Sequence, residues 1–153
     1  MGRIQGGRVI LGGLVAGLVI NVGMFLLHGA MLKNDWQSAM QALGHVAEPS
    51  DMTRSLVIFN LQGFLVGLFA VWLYAAIRPR YGAGPGTAAR AGVAAWFGAS
   101  LAPTLIQMAL RLLPDKLLYV PLVGDFVILI IAVIAGAALY KESPAGAAAA
   151  SAA

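Results

Sequence analysis

Four long apolar runs constrain what this chain can fold into more than any other feature. A helix needs about 20 consecutive, mostly apolar residues to cross the hydrocarbon core of a membrane, and each run reaches that length. Apolar residues make up 60% of the 153-residue chain and charged residues only 10%, with a mean hydropathy of +0.85. The sequence therefore predicts an all-α fold, an integral membrane four-helix bundle.

The polar segments between the runs divide the chain. We predict a single membrane domain over residues 1–142, with spans at about 9–32, 53–77, 91–113 and 117–140, and an Ala/Gly-rich tail over 143–153.

The connection between the first two spans has its own helical pattern. Trp36, Met40 and Leu43 fall on one face, which predicts a short interfacial amphipathic helix. Asn34 is positioned to cap its start, and Gly44 to end it. We interpret Trp36 as an anchor at the boundary between water and lipid.

The third run carries a polar stripe. Ser100, Thr104, Gln107 and Arg111 step by four, three and four residues, so they share one face of an α-helix that lipid does not accept. Pro103 lies inside this run and is expected to kink it. Ser100 and Thr104 are placed to satisfy the carbonyl groups that the kink frees.

Asp125 is the one acidic residue inside an apolar run. If the last helix starts at Leu117, the residue lies about 12 Å along it, and an aspartate at that depth is a functional hypothesis by default. If Pro121 instead occupies the first helical turn, Asp125 lies only about 6 Å along the helix and stabilises its positive end. Both alternatives are open from the sequence.

Further polar residues lie in the other spans. Asn21 and His28 share a face of the first span, and Asn60 lies in the second. His28 either bonds to a neighbour or serves as a ligand or proton relay. Arg111 either pairs with Asp125 or extends to the headgroups. Together with the stripe, these residues predict a polar cluster in the outer half of the membrane.

Small residues repeat at intervals of four in several spans. This spacing lets two helices approach closely and predicts three packing faces. The pairs are Gly13 and Gly17, Gly63 and Gly67, and Ala132 and Gly136.

The basic residues indicate an orientation. The chain has a net charge of +4 and a pI near 9.9, but its Lys and Arg residues flank the apolar runs and form no basic patch, so we expect no nucleic-acid partner. With the N terminus inside, six Lys and Arg residues lie on the inner flanks and four on the outer flanks. This bias predicts that both termini are cytoplasmic.

The residue types for most enzyme sites are missing. The chain has two histidines and no cysteine, and neither a GxxxxGK[ST] nor a GxSxG motif occurs. We therefore predict a non-catalytic protein without a cofactor or metal site.

Two segments carry a resemblance. With GGLVAGLVINVGMFLL at residues 12 to 27 and WLYAAIRPRYGAGP at residues 72 to 85, the chain resembles small, uncharacterised four-span membrane proteins of bacteria over roughly its first three spans. The resemblance implies the four-span fold and a place in the bacterial inner membrane, and it transfers no catalytic residue.

Two functions remain open from the sequence. The packing faces favour an accessory or structural subunit that associates, in the lipid bilayer, with other membrane subunits or with itself. The polar cluster favours a small transporter, or a protein that binds a proton or ligand, with a cavity in the outer half of the membrane.

Overall fold

The computed structural model describes residues 4–45 and 48–140, and over those residues it is helical without a β-strand. Four helices are long and apolar enough to cross a membrane, which confirms the predicted all-α class. We refer to them as spans 1 to 4, and their bounds are Gly6–Met31, Ser50–Tyr81, Pro85–Leu110 and Lys116–Ala138. The predicted tail over residues 143–153 lies outside the described residues.

Spans 1 and 3 each contain a π-helical segment. Span 1 consists of α1 (Gly6–Met24) followed by a π segment at Phe25–Met31. Span 3 consists of α4 (Pro85–Trp96), a π segment at Phe97–Leu101 and α5 (Ala102–Leu110). Span 2 belongs to α3 (Pro49–Tyr81), and span 4 is α6 (Lys116–Ala138). Two such segments in one small chain are unusual, because π-helical turns are rare and occur frequently at functional sites.

The prediction of a kink at Pro103 is modified by the structure. Pro103 lies in the first turn of α5, directly after the second π segment. A proline donates no amide hydrogen bond, and the wider turn before it accommodates the missing donor. The Ser100 hydroxyl bonds to a side chain on another span and not to a freed carbonyl group, as described below.

The largest differences from the predicted helix boundaries are at the end of span 2 and the start of span 3. Span 2 does not end at about residue 77 but continues through Pro79 to Tyr81, and Gly82 then leaves the helix with a φ of 83°. Span 3 begins at Pro85, earlier than predicted, because proline suits the first turn of a helix.

The predicted amphipathic helix is α2 (Lys33–Ala42). It begins one residue before Asn34, and its start has no side-chain cap, so the predicted capping role of Asn34 is wrong. The chain passes from span 1 into α2 through the single residue Leu32, which is buried. Gly44 follows the helix with a φ of 77°, the left-handed conformation that ends helices.

Span 1 packs against spans 2 and 4 through two adjacent rows of small residues. A β-carbon added to Gly67 of span 2 would lie 2.6 Å from the Gly13 carbonyl oxygen and 2.7 Å from the Gly17 α-carbon. On the other side, a β-carbon added to Gly12 would lie 2.6 Å from the carbonyl oxygen of Gly136 in span 4. The backbones are thus in direct contact, as small residues allow.

The remaining predicted packing residues are also used within the chain. Gly63 of span 2 lies against the side chain of Asn21. Ala132 of span 4 is fully buried in a cluster with Ala16 and Leu129. All three predicted packing faces therefore have neighbours inside this one chain.

Both ends of the described chain lie at the same end of the structure. The Gln5 amide donates to the Tyr140 hydroxyl at 3.4 Å. Tyr140 also packs edge-on against Tyr74, with ring centroids 6.0 Å apart, and the Arg78 guanidinium lies 5.6 Å from its ring centre. We call this the terminal end, and the opposite one the α2 end.

The packing is closer at the terminal end than at the α2 end. Every side chain of span 2 from Ser50 to Gln62 is exposed or half-buried, and the same holds for all of α5. Near the α2 end, spans 1 and 4 are therefore the better packed pair.

Candidate functional site around Asp125

Asp125 lies deep in span 4. The helix begins at Lys116, so Asp125 is nine residues in, about 14 Å along the axis. Pro121 lies inside the helix, which decides between the two alternatives in favour of the deeper position. Only 9% of the surface of Asp125 is exposed, and among the described residues no other carboxylate is buried.

Two polar side chains from other spans contact Asp125. The Ser100 hydroxyl of span 3 donates to Oδ2 of the carboxylate at 2.9 Å. Nε2 of His28 in span 1 lies 3.6 Å from Oδ1. Ser100 and His28 both belong to π segments, so each irregular turn of the long helices carries one partner of the same carboxylate.

The carboxylate has one unused acceptor. Oδ1 is buried and has no hydrogen-bond partner among residues 4–45 and 48–140. A buried acceptor without a donor is energetically costly, and such groups in native structures call for an explanation such as a bound proton, water or ion.

The backbone geometry brings span 3 to this site. A β-carbon added to Gly92 would lie 2.9 Å from the Ile130 α-carbon, so spans 3 and 4 are in close contact about two turns from Ser100. The Trp96 indole then donates to the Leu122 carbonyl oxygen at 2.9 Å. These two contacts hold the second π segment beside Asp125.

Trp36 extends the site to α2. Its indole Nε1 donates to Nδ1 of His28 at 3.2 Å, and the two rings lie at 40° to each other. The sequence indicated only an interfacial anchor for Trp36. Trp36 follows His28 by eight residues, and this spacing was the only sequence signal for their contact. The two side chains meet because the chain changes direction at Leu32, between span 1 and α2.

Of the two alternatives left open for Arg111, pairing with Asp125 is not the one that the structure has. Arg111 ends span 3 in a left-handed conformation with a φ of 51°, and its side chain is exposed. It borders a cleft between α2 and the turn before span 4. The physical reason is that Ser100 and His28 lie beside the carboxylate, whereas Arg111 lies at the end of span 3, next to α2.

The rest of the predicted polar stripe does not join the site either. Thr104 and Gln107 are half-buried, and within the described part of the chain neither forms a hydrogen bond to Asp125. The stripe was drawn on a regular α-helix, whereas the π segment at Phe97–Leu101 changes the register between Ser100 and the residues after it.

Asn21 and Asn60 form a separate contact. The Asn21 side-chain amide donates to the Asn60 backbone carbonyl at 3.2 Å, and the Asn60 side chain donates to the Leu56 carbonyl at 2.8 Å. These bonds connect spans 1 and 2. The eight predicted residues thus divide into the site of Asp125, Ser100 and His28, the contact between Asn21 and Asn60, and three residues in and just after α5, which are Thr104, Gln107 and Arg111.

The site combines a carboxylate, a hydroxyl and an imidazole. Its order differs from that of a catalytic Ser–His–Asp triad, because here the carboxylate and not the imidazole contacts the serine. Within residues 4–45 and 48–140, no group of three metal-ligating side chains comes together. The open Oδ1 atom and the adjacent imidazole are suited to holding a proton or a small cation.

No family model, curated protein or solved structure matches the chain. The resemblance to four-span bacterial membrane proteins stays a prediction.

Proposed function

We propose that this protein is an integral membrane four-helix bundle that binds a proton or a small cation at Asp125 and takes part in transport or ligand binding coupled to it. The observation that carries the proposal is the buried carboxylate with an unused Oδ1 acceptor beside His28. Ionisable groups inside membrane helices are costly, and where they occur they mark proton and ion pathways.

The arrangement of the helices supports this proposal. Both partners of Asp125 lie in π segments, which occur often at functional sites. Spans 2 and 3 are sparsely packed near the α2 end, and the His28 side chain keeps 30% of its surface exposed, so the site is less tightly enclosed than the core at the terminal end. From the distribution of Lys and Arg, we propose that the terminal end faces the cytoplasm of a bacterium.

Proton movement in liposomes tests the proposal. The purified protein is reconstituted, a potassium diffusion potential is applied, and internal pH is followed with a trapped dye. Asp125→Asn keeps the shape of the side chain but removes its proton-binding group, and we expect proton flux to fall to the level of protein-free liposomes. Asp115→Asn, an exposed carboxylate in the turn before span 4, is the matched control and should keep wild-type flux.

Direct binding is measured in the same variants by infrared spectroscopy. A protonated carboxylic acid has its own C=O stretching band, and the difference between the wild-type and Asp125→Asn spectra should contain the band of a proton held on Asp125, separated from the bands of the other carboxyl groups. Flux and spectra of Asp125→Asn equal to those of the wild type would refute the proposal.

A second candidate is an accessory or structural subunit of a membrane complex. The small-residue faces no longer favour it, because they are occupied within the chain. The exposed polar side chains Asn60 and Gln62 in the apolar part of span 2 do favour it, since polar side chains in lipid associate with other helices.

Native mass spectrometry of the protein, extracted from its own host in mild detergent, tests the second candidate. An accessory subunit should retain partner subunits, or a second copy of itself, in fixed stoichiometry, and Gln62→Leu should weaken that association. A monomer in both preparations would argue against this role.

A further inference from the structure

The contact between Trp36 and His28 fixes where the proton of the neutral imidazole lies. An indole N–H group is a donor only, so Nδ1 of His28, which lies 3.2 Å from the Trp36 nitrogen, is the acceptor and carries no proton. A neutral imidazole has one N–H group, which must then be at Nε2. Nε2 is the ring nitrogen beside Asp125, 3.6 Å from Oδ1. His28 therefore presents a donor, and not a lone pair, to the carboxylate.

This arrangement is the reverse of the one that metal sites require. A histidine binds a metal ion through the lone pair of one ring nitrogen, and its other nitrogen donates a proton to an acceptor. In this protein the other nitrogen of His28 is Nδ1, and it faces the Trp36 donor. If Nε2 bound a cation, the proton would have to move to Nδ1, where it would lie against the indole hydrogen. Trp36 thus prevents His28 from acting as a cation ligand beside Asp125.

The other groups around the carboxylate do not supply the missing ligand. Span 3 presents the Ser100 hydroxyl, whose hydrogen is directed at Oδ2. Within the part of the chain that the structure describes, no three metal-ligating side chains come together. Hard cations such as Mg²⁺ and Ca²⁺ take about six to eight ligands. A metal ion at Oδ1 would also meet the positive end of the Nε2–H bond of His28, which repels it.

A proton differs from a metal ion because it needs only a single lone pair. Oδ1 is buried and accepts no hydrogen bond within residues 4–45 and 48–140. A carboxylate oxygen has about two lone-pair sites, so one can face Nε2–H of His28 while the other takes a proton. A hydronium ion gives that proton to Oδ1, an O–H bond forms, and the ion leaves as water. Resting on the function proposed above, we infer that Trp36 makes the Asp125 site selective for a proton over metal cations by holding His28 as a fixed N–H donor.

Nitrogen chemical shifts of His28 test the tautomer directly, since protonated and unprotonated ring nitrogens give separate signals. The chain has two histidines, so His45→Gln leaves His28 as the one source of imidazole signals. The full chain, with isotope-labelled histidine, is measured in lipid nanodiscs at about pH 8, where an ordinary imidazole is neutral. We expect a protonated Nε2 and an unprotonated Nδ1. A spectrum with the proton on Nδ1 would overturn the inference.

Binding of Zn²⁺ tests the selectivity in the same background. Zn²⁺ is the probe because it binds both neutral imidazole and carboxylate. Trp36→Phe removes the donor, so the proton can move to Nδ1, and Nε2 and Asp125 can then bind Zn²⁺ together. Groups that orient a metal-binding histidine change the affinity by about 10- to 100-fold, and we expect Trp36→Phe to bind Zn²⁺ more tightly by a factor in that range. Asp125→Asn in the same variant should remove the gain. Equal Zn²⁺ affinity with and without Trp36 would refute the selectivity.

Two controls separate the loss of the hydrogen bond from a change in packing. Trp36 acts through His28 as a positioning residue, so its N–H group and not its bulk should matter. Benzothienylalanine at position 36 keeps the fused rings but has sulfur in place of the N–H group, and we expect the same gain in Zn²⁺ affinity as in Trp36→Phe. Trp72→Phe changes an exposed tryptophan of span 2 outside the site and should keep the wild-type tautomer and affinity. No gain with benzothienylalanine would contradict the role of the N–H group.

Ion flux distinguishes the failure of this inference from the failure of the proposed function. In the liposome assay, proton flux that depends on Asp125, without Na⁺ flux, supports both. Flux of Na⁺ as well as protons through Asp125 would refute the selectivity and leave transport at this residue intact. If neither flux depends on Asp125 while His28 carries its proton on Nε2, the proposed function fails, and the selectivity that rests on it fails with it.

Discussion

Replacing Gly67 by alanine places a methyl group where the backbones of spans 1 and 2 touch. The new β-carbon would lie closest to the Gly17 amide nitrogen and 2.6 Å from the Gly13 carbonyl oxygen, whereas ordinary contact begins at 3.4 Å, so the two helices must separate by more than about 0.8 Å. The obstructing atoms belong to backbone, so no change of rotamer relieves them. Overpacking of this kind costs about 1–3 kcal/mol, and we expect Gly67→Ala in the upper part of that range.

Unfolding in mixed micelles with a rising fraction of sodium dodecyl sulfate, followed by circular dichroism, measures the effect. A cost of about 1–3 kcal/mol corresponds to a decrease of about 5- to 140-fold in the folding equilibrium constant. The matched control is Gly7→Ala in span 1, where an added β-carbon meets no atom within 4 Å. Alanine favours a helix over glycine by about 0.5–1 kcal/mol, so this control should be neutral or more stable.

The reasoning is refuted if Gly67→Ala unfolds at the same detergent fraction as Gly7→Ala. That result would mean that spans 1 and 2 do not meet at Gly67, and the register of the whole core would have to be revised.

Two smaller perturbations test the contacts around the site and α2. Ser100→Ala removes the only hydrogen-bond donor to the Asp125 carboxylate in the described part of the chain. The free energy of unfolding should fall by about 1–3 kcal/mol in the same assay. Ser100→Thr keeps the hydroxyl and should recover much of that loss. Lys116→Gln breaks the exposed pair with Asp35. A double-mutant cycle with Asp35→Asn should give a coupling free energy of only about 0.2–1 kcal/mol, which diminishes in high salt. A larger coupling that does not depend on salt would show that the pair is not solvated as the structure has it.

Local patterns in the sequence determined the four long helices. The length of an apolar run and the residues that end it determine whether and where a helix forms. Both depend on interactions within that helix, so they can be predicted without knowing which helices pack beside it. For the same reason, small residues four apart identified Gly13, Gly17 and Gly67 as positions of close approach. The positions of Asp125 and His28 in apolar runs likewise marked them as candidates from their chemistry alone.

The tertiary structure alone decided which polar groups meet. Periodicity shows which residues share a face, but it does not show which helix that face contacts, and two π segments changed the register on which the stripe from Ser100 to Arg111 was drawn. Glycine contacts set the distances between the backbones, and with those distances Asp125 accepts a hydrogen bond from Ser100 and lies beside His28. The reversal of the chain after Leu32, which no local pattern specifies, brought Trp36 onto His28. The helices form through interactions between residues close in the sequence, whereas the site forms through contacts between residues that are far apart in the sequence and lie on different helices.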